Sequence, residues 1–256
     1  MKILLLSDLH REIVRWAPAP LDADLVILAG DISAKSLGVT WATQAFQNSD
    51  GSRPAVIYVA GNHEFYHSHL GLLGEMSAAC KQAPHVHVLE QDQIILGDVR
   101  VLGCTLWSNF SLYGADRVAA AMDAAARDMN DFRLIHSAPG QLFTPEDSRR
   151  LFEQSVTWLD QALAVPFAGK TIVVTHFAPH RRCAAPWHED SDLSAYFVND
   201  LEWMMEKHRI DLWCYGHTHT NTDFVAANGC RVLSNQRGYP SETDQMRFRQ
   251  NFMIEI

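Results

Sequence analysis

Gly61-Asn62-His63-Glu64 follows the apolar run Val56-Ile57-Tyr58-Val59-Ala60 and crowds three polar side chains into one turn. Burial of a core does not call for such a turn. The same design recurs along the chain, always as a β-branched or Leu-rich run that stops at Asp, His or Asn. Ile3-Leu4-Leu5-Leu6 leads to Asp8-Leu9-His10, and Leu25-Val26-Ile27-Leu28-Ala29 leads to Gly30-Asp31. Thr171-Ile172-Val173-Val174-Thr175 leads to His176, and Asp211-Leu212-Trp213-Cys214-Tyr215 leads to Gly216-His217-Thr218-His219. A lone histidine after a strand is usually a hydrogen-bonded structural residue. Five such endings in one chain make a metal-ligand set instead.

Working outward, Lys2–Ser7 and the runs at 25–29, 56–60 and 171–175 read as short strands buried on both faces. Helical patterns lie between them at Thr40–Asn48, Tyr66–Gln82, Ala115–Met129 and Ala195–Lys207. Another helix starts with Thr144 as N-cap and Pro145 at the first position, and extends to about Leu163. Alternating strands and helices predict an α/β fold with parallel strands, whose sites lie beyond the carboxyl ends of the strands. The second half shifts in character. Gln93–Leu96 with Val99–Thr105 around Gly97-Asp98, and Phe224–Ala226 with Arg231–Leu233 around Asn228-Gly229, read as hairpins, and the C-terminal part as antiparallel. With no repeat or linker, one domain spanning 1–256 is expected.

Composition narrows the function classes. A formal net charge of −9 argues against salt-driven binding to nucleic acid or an anionic membrane surface. Five scattered cysteines without a Cys-x-x-Cys pair indicate neither a disulfide framework nor a thiolate zinc site. The apolar runs are too short to span a bilayer. The N-terminus enters a strand directly, as structure and not as a signal peptide. A cytoplasmic protein without membrane contact is the expectation.

The ordered motifs Asp8-x-His10, Gly30-Asp31, Gly61-Asn62-His63-Glu64, His176 and Gly216-His217-x-His219 resemble those of the calcineurin-like metallophosphoesterase superfamily. The resemblance covers most of the chain. It implies two mixed β-sheets packed face to face with helices on the outside, an αββα sandwich. It also implies that Asp8, His10 and His219 hold one ion and Asn62, His176 and His217 a second, with Asp31 bridging and His63 near the leaving group.

Physical chemistry agrees with that implication. Paired sites for phosphoryl chemistry hold their metals roughly 3.5–4 Å apart, and one carboxylate can bridge them. On extended backbone, side chains two residues apart share a face, so Asp8 with His10 could reach one ion and His217 with His219 could straddle a pair. Spacing alone leaves open which histidine takes which ion. The nitrogen and oxygen donors suit Mn, Fe, Zn, Co or Ni. A water bridging the metals would attack phosphorus in line, with His63 protonating the leaving oxygen. Glu64 either orients a ligand from behind or is a surface acid on the next helical turn.

Arg11, Arg181, Arg182 and Arg237 are candidates to clamp a phosphate, Arg181 and Arg237 foremost. Trp107, Asn109, Trp187, His188 and Tyr239 are candidates for a pocket rim. The expected substrate is a small phosphorylated molecule, a phosphodiester or pyrophosphate-type compound of nucleotide character. The alternatives are a nuclease, disfavoured by the lack of a basic stripe, and a metal-binding interaction scaffold of the same fold without hydrolytic activity.

Overall fold

The computed structural model describes residues 1–19, 22–185, 191–242 and 248–256. Pro20, Pro186, Trp187 and His188 lie outside the described residues. The strands run in chain order as β1 (Lys2–Leu6), β2 (Leu25–Ala29), β3 (Ala55–Val59), β4 (Ser68–His69), β5 (Val86–Val88), β6 (Asp92–Leu96) and β7 (Val99–Cys104). They continue as β8 (Ile135–Ala138), β9 (Gln141–Leu142), β10 (Lys170–Thr175), β11 (Leu212–Tyr215), β12 (Asp223–Val225), β13 (Arg231–Ser234) and β14 (Met253–Glu255). The helices are α1 (Leu37–Ala45), α2 (Leu72–Ala79), α3 (Val118–Asp128), α4 (Asp131–Leu134), α5 (Pro145–Ala164), α6 (Ser194–Phe197) and α7 (Glu202–Lys207).

Among the described residues a small sheet has the order β4-β8-β9, and of the two large sheets the first has the order β14-β1-β2-β3-β5 and the second β12-β13-β11-β10-β7-β6, so both large sheets are mixed. Alternation within each strand packs them together. Ile3, Leu5, Ile27 and Ile57 of the first sheet share a buried cluster with Val101, Ile172, Val174 and Leu212 of the second. Their neighbours Leu4, Leu28, Tyr58, Val173 and Trp213 point the other way, into the layer that includes Val39 of α1, Met76 of α2, Phe152 and Leu159 of α5 and Met204 of α7. Strands covered on both faces have no polar side, which is why they are apolar throughout. The expected αββα sandwich is what forms.

The second half is more parallel than the hairpins suggested. In the second sheet β7, β10, β11 and β13 all run parallel, and only the edge strands β6 and β12 are antiparallel. Helix α5 makes the crossover from β7 to β10. Both predicted hairpins exist, but each supplies just one strand to the parallel core.

Local departures have local causes. The expected helix over 66–82 is shortened to α2, because His67 turns at φ 55° and Ser68–His69 pairs with β8. The expected helix over 195–207 breaks between α6 and α7. There Val198 bridges to Ala178, and the Asn199 side chain donates to Trp107 O at 2.8 Å and accepts from Asn109 N at 3.2 Å. The start of α5 follows its sequence: Thr144 Oγ1 accepts from Asp147 N at 3.2 Å, and Asp147 Oδ2 accepts from Thr144 N at 3.1 Å. This reciprocal capping satisfies two donors that a helix start leaves open.

Candidate metal centre

Every candidate ligand sits just beyond the carboxyl end of a parallel strand: Asp8 and His10 after β1, Asp31 after β2, Asn62 after β3, His176 after β10, His217 and His219 after β11. The first three strands belong to one sheet and the last two to the other, so the site straddles both. The exits from the strands are not extended, which corrects the spacing argument. Asp8, His10, Asp31, His217 and His219 have φ of 51°, 42°, 55°, 71° and 50°. Left-handed backbone costs a non-glycine residue roughly 1–2 kcal/mol, and five cases in one cluster mark a site held by its surroundings. Gly61 is required for a related reason, since a Cβ there would collide with the Asp31 carboxylate and with His176.

The turns send His217 and His219 apart. His219 Nε2 lies 3.4 Å from Asp8 Oδ1 and 3.0 Å from His10 Nε2. The His217 ring instead lies 4.9 Å from that of His176, whose Nε2 is 2.9 Å from Asn62 Oδ1 and 3.4 Å from Asp31 Oδ1. Asp31 stands between these groups, with Oδ2 at 3.8 Å from His10 Nε2. Ligand atoms gather within 4.8 Å in three sets: Asp8, His10 and His219; His10, Asp31 and His63; Asp8, Asp31 and His176.

A cation fits this donor set. Asp8 Oδ2 and His217 Nε2 are buried without a hydrogen-bond partner among the described residues, an arrangement that is costly unless something else satisfies them. Burial, then the charges of Glu64 and Asp8, push the Asp31 carboxyl well above its ordinary range. Burial lowers His10 and His176 to about 4, leaving both neutral, the ligating form, at neutral pH. Burial opposes a proton on His219, but its hydrogen bonds to Asp8 and Glu242 outweigh that and raise it to about 9.

The imidazoles are oriented from behind, as ligating histidines require. His176 Nδ1 donates to Ala29 O at 2.9 Å, His219 Nδ1 lies 2.7 Å from Glu242 Oε2, and His10 Nδ1 lies 3.3 Å from Glu12 Oε1. In each case Nε2 is left facing the site. Asn62 is fixed by Asp131, whose Oδ1 accepts from Asn62 Nδ2 at 2.9 Å and whose other oxygen accepts from Tyr196 OH. Glu64 is no surface acid. It is fully buried and accepts from Asp31 N at 3.0 Å, Ile32 N at 2.8 Å, Gly61 N at 2.7 Å and Tyr58 OH at 2.7 Å. It thereby ties the Asp31 and Asn62 turns together.

His63 Nδ1 lies 3.1 Å from Glu12 Oε1, and its Nε2 lies 3.0 Å from Tyr239 OH. Both His63 and Tyr239 line the cavity. Trp107 does not: it is buried among Phe65, Phe143 and Phe177. Asn109 caps its own loop through Ser111 N. Arg237 and Arg181 are engaged elsewhere. Arg237 Nη1 donates to Leu9 O and Val14 O at 2.9 Å, and Arg181 Nε donates to Asp200 Oδ2 at 2.8 Å. Arg11 donates to Trp16 O and Arg182 lies over Phe224. Sequence reading missed Glu12, Asp131 and Glu242. Only Glu12, two residues past His10, carried any signal.

The chain belongs to the calcineurin-like phosphoesterase family, whose model matches residues 1–221. It is 26% identical over 275 residues to an uncharacterized protein of Acanthamoeba polyphaga mimivirus, covering 94% of this chain and 93% of that one. Its fold is similar to that of a phosphopantetheinyl hydrolase from Mycobacterium tuberculosis, with a TM-score of 0.77, 19% identity, and coverage of 100% of this chain and 95% of that chain. A dimetal phosphatase from Danio rerio has a TM-score of 0.51 at 14% identity, covering 91% of this chain and 86% of that one. Among the described residues no helix is long and apolar enough to cross a membrane.

Proposed function

We propose that this chain is a cytoplasmic, single-domain hydrolase of small phosphate esters, phosphodiesters first, acting with two transition-metal ions drawn from Mn, Fe, Zn, Co and Ni. Asp8, His10 and His219 would hold one ion, Asn62, His176 and His217 the other, and Asp31 both. The observation that carries this reading is the gathering of Asp8, His10, Asp31, His176 and His219 from both sheets, with Asn62 Oδ1 2.9 Å from His176 Nε2, beside Asp8 Oδ2 and His217 Nε2, which are buried without a hydrogen-bond partner among the described residues. When bound, two divalent cations supply the charge that draws phosphate to an acidic protein and the Lewis acidity that makes water nucleophilic near neutral pH.

The chain's own part is orientation and proton transfer. Hydrolysis adds a water oxygen to phosphorus, breaks the bond to the leaving oxygen and moves a proton to that oxygen. His63 would deliver it: Glu12 Oε1 lies 3.1 Å from its Nδ1 and holds the ring, and Nε2, 3.0 Å from Tyr239 OH, would face the leaving oxygen. Glu64 and Asp131 keep the turns from yielding when a charged substrate enters. The substrate would be a nucleotide-type phosphodiester.

Chelated protein should hydrolyse no aryl phosphodiester and should melt at lower temperature than metal-loaded protein, because a ligand bound only by the folded state stabilises it by about 2.7 kcal/mol at a hundredfold excess over Kd. Reloading with Mn should restore both properties. Hydrolysis that survives complete metal removal would contradict the proposal.

A further inference from the structure

Asp131 is the first residue of α4, and its side chain is fully buried. Its two oxygens take three donors. Oδ1 accepts from Asn62 Nδ2 at 2.9 Å and from Tyr66 OH at 2.6 Å, and Oδ2 accepts from Tyr196 OH. A carboxylate can stay buried when its lone pairs are met in this way. Its own position is fixed by the helix it opens: Phe132 stacks on Phe143 at 5.7 Å and 5°, and Leu134 O accepts from His67 N at 2.9 Å.

This arrangement decides which end of the Asn62 amide faces the site. The two ends of an amide are nearly alike in shape, so the hydrogen-bond partners decide its orientation. A carboxylate only accepts, so Nδ2 must turn to Asp131, and Oδ1 is left facing His176 Nε2 at 2.9 Å. A cation takes the carbonyl oxygen of an amide, whereas the flipped amide would aim N–H donors at it. The carboxylate also steadies the neighbours of that position. The Tyr66 ring stacks on His63 at 4.2 Å and 26°, and Tyr196 meets the His217 ring edge-on at 5.8 Å and 83°.

We infer that Asp131 is the positioning residue for the ion that Asn62 would hold, and that it acts by fixing the polarity of the Asn62 amide. This rests on the two-metal reading above and deepens it, since Asp131 would set the affinity of one ion of the pair without ligating it.

The test is calorimetric titration of full-length, metal-free protein with Mn, read for each ion, alongside thermal melting in chelator. Asn62→Ala identifies the ion concerned, and an Asn62→Ala protein that weakens no ion would overturn the inference. Asp131→Leu removes both acceptors. It should weaken that ion by about 10–100-fold, the usual loss when the partner behind a ligand is removed, and leave the other ion at wild-type affinity. Asp131→Asn can still accept from Asn62 and should keep most of the affinity. In an Asn62→Ala background Asp131→Leu should cost the ion nothing further, because a residue that acts through another has nothing left to position. Wild-type affinity in Asp131→Leu, or an undiminished further loss in the Asn62→Ala background, would overturn the inference. For an Asp131→Leu protein that does not fold, Asn62→Asp combined with Asp131→Asn decides. The pair reverses the one hydrogen bond and should melt above Asn62→Asp alone, which opposes two carboxylates; equal melting in chelator near neutral pH would overturn the inference. Selective loss of one ion in Asp131→Leu, from a wild type that hydrolyses no ester, would instead sink the phosphoesterase reading and leave the role of Asp131 standing.

Discussion

At the scale of single residues, His63 separates acid catalysis from metal holding. Its Nδ1 is occupied by Glu12, and its Nε2 is 3.9 Å from Asp31 Oδ2 and 3.0 Å from Tyr239 OH. Because His63 Nε2 can also gather with His10 and Asp31, its role must be tested against metal content. His63→Gln should keep the metal and slow esters according to how badly the departing oxygen needs a proton. An aryl ester should lose little, whereas an alkyl ester should lose much of the ~10²–10⁴ that a positioned acid provides. Measuring kcat for both esters together with bound metal decides it, since equal slowing with chemistry rate-limiting would remove His63 from the acid role. The polar residues at the strand ends were legible in sequence because nothing in a core accounts for them. Asp131 was not, because only the folded chain brings it to Asn62 from 69 residues away.

At the scale of elements, the strand ends are held by buried and half-buried carboxyls, Glu64 and Glu90, as well as by backbone pairing. Glu90, after β5, accepts from Thr105 N at 2.9 Å and Thr105 Oγ1 at 2.7 Å, tying the first sheet to the end of β7. Burial pushes its carboxyl from the ordinary 4.5 up to about 7, against those two hydrogen bonds. The folded state therefore binds a proton that the unfolded chain releases between those values. The resulting stabilisation is fully present below about 4.5 and is lost as pH rises through about 7. Glu90→Gln, which keeps an acceptor for Thr105, should abolish this part of the slope. Denaturant midpoints of both proteins at pH 5 and pH 8 should show the variant gaining on the wild type as pH rises, and a constant difference would contradict the account. Elements with local signals, such as α5 with Thr144 and Pro145, were legible in sequence. The left-handed exit at Asp31 and the break between α6 and α7 were not, because the groups that hold them, buried Glu64 accepting from Asp31 N and the Asn199 side chain bonding to the 107–109 loop, make long-range contacts.

At the scale of the whole molecule, two sheets meet face to face and their carboxyl-end loops share one site, so ions bound there would link the two sheets. A net charge of −9 would repel a phosphate, and cations bound at the candidate site would reverse that locally. The parallel architecture was readable from the apolar runs, while the parallel centre of the second sheet was hidden behind its two edge hairpins. The central claim is that Asp31 joins two ions, and metal stoichiometry tests it most directly. Elemental analysis of chain saturated with Mn should find two ions per wild-type chain, and Asp31→Asn should bind fewer and lose nearly all hydrolysis. A wild-type chain that holds a single ion at saturation would contradict the claim.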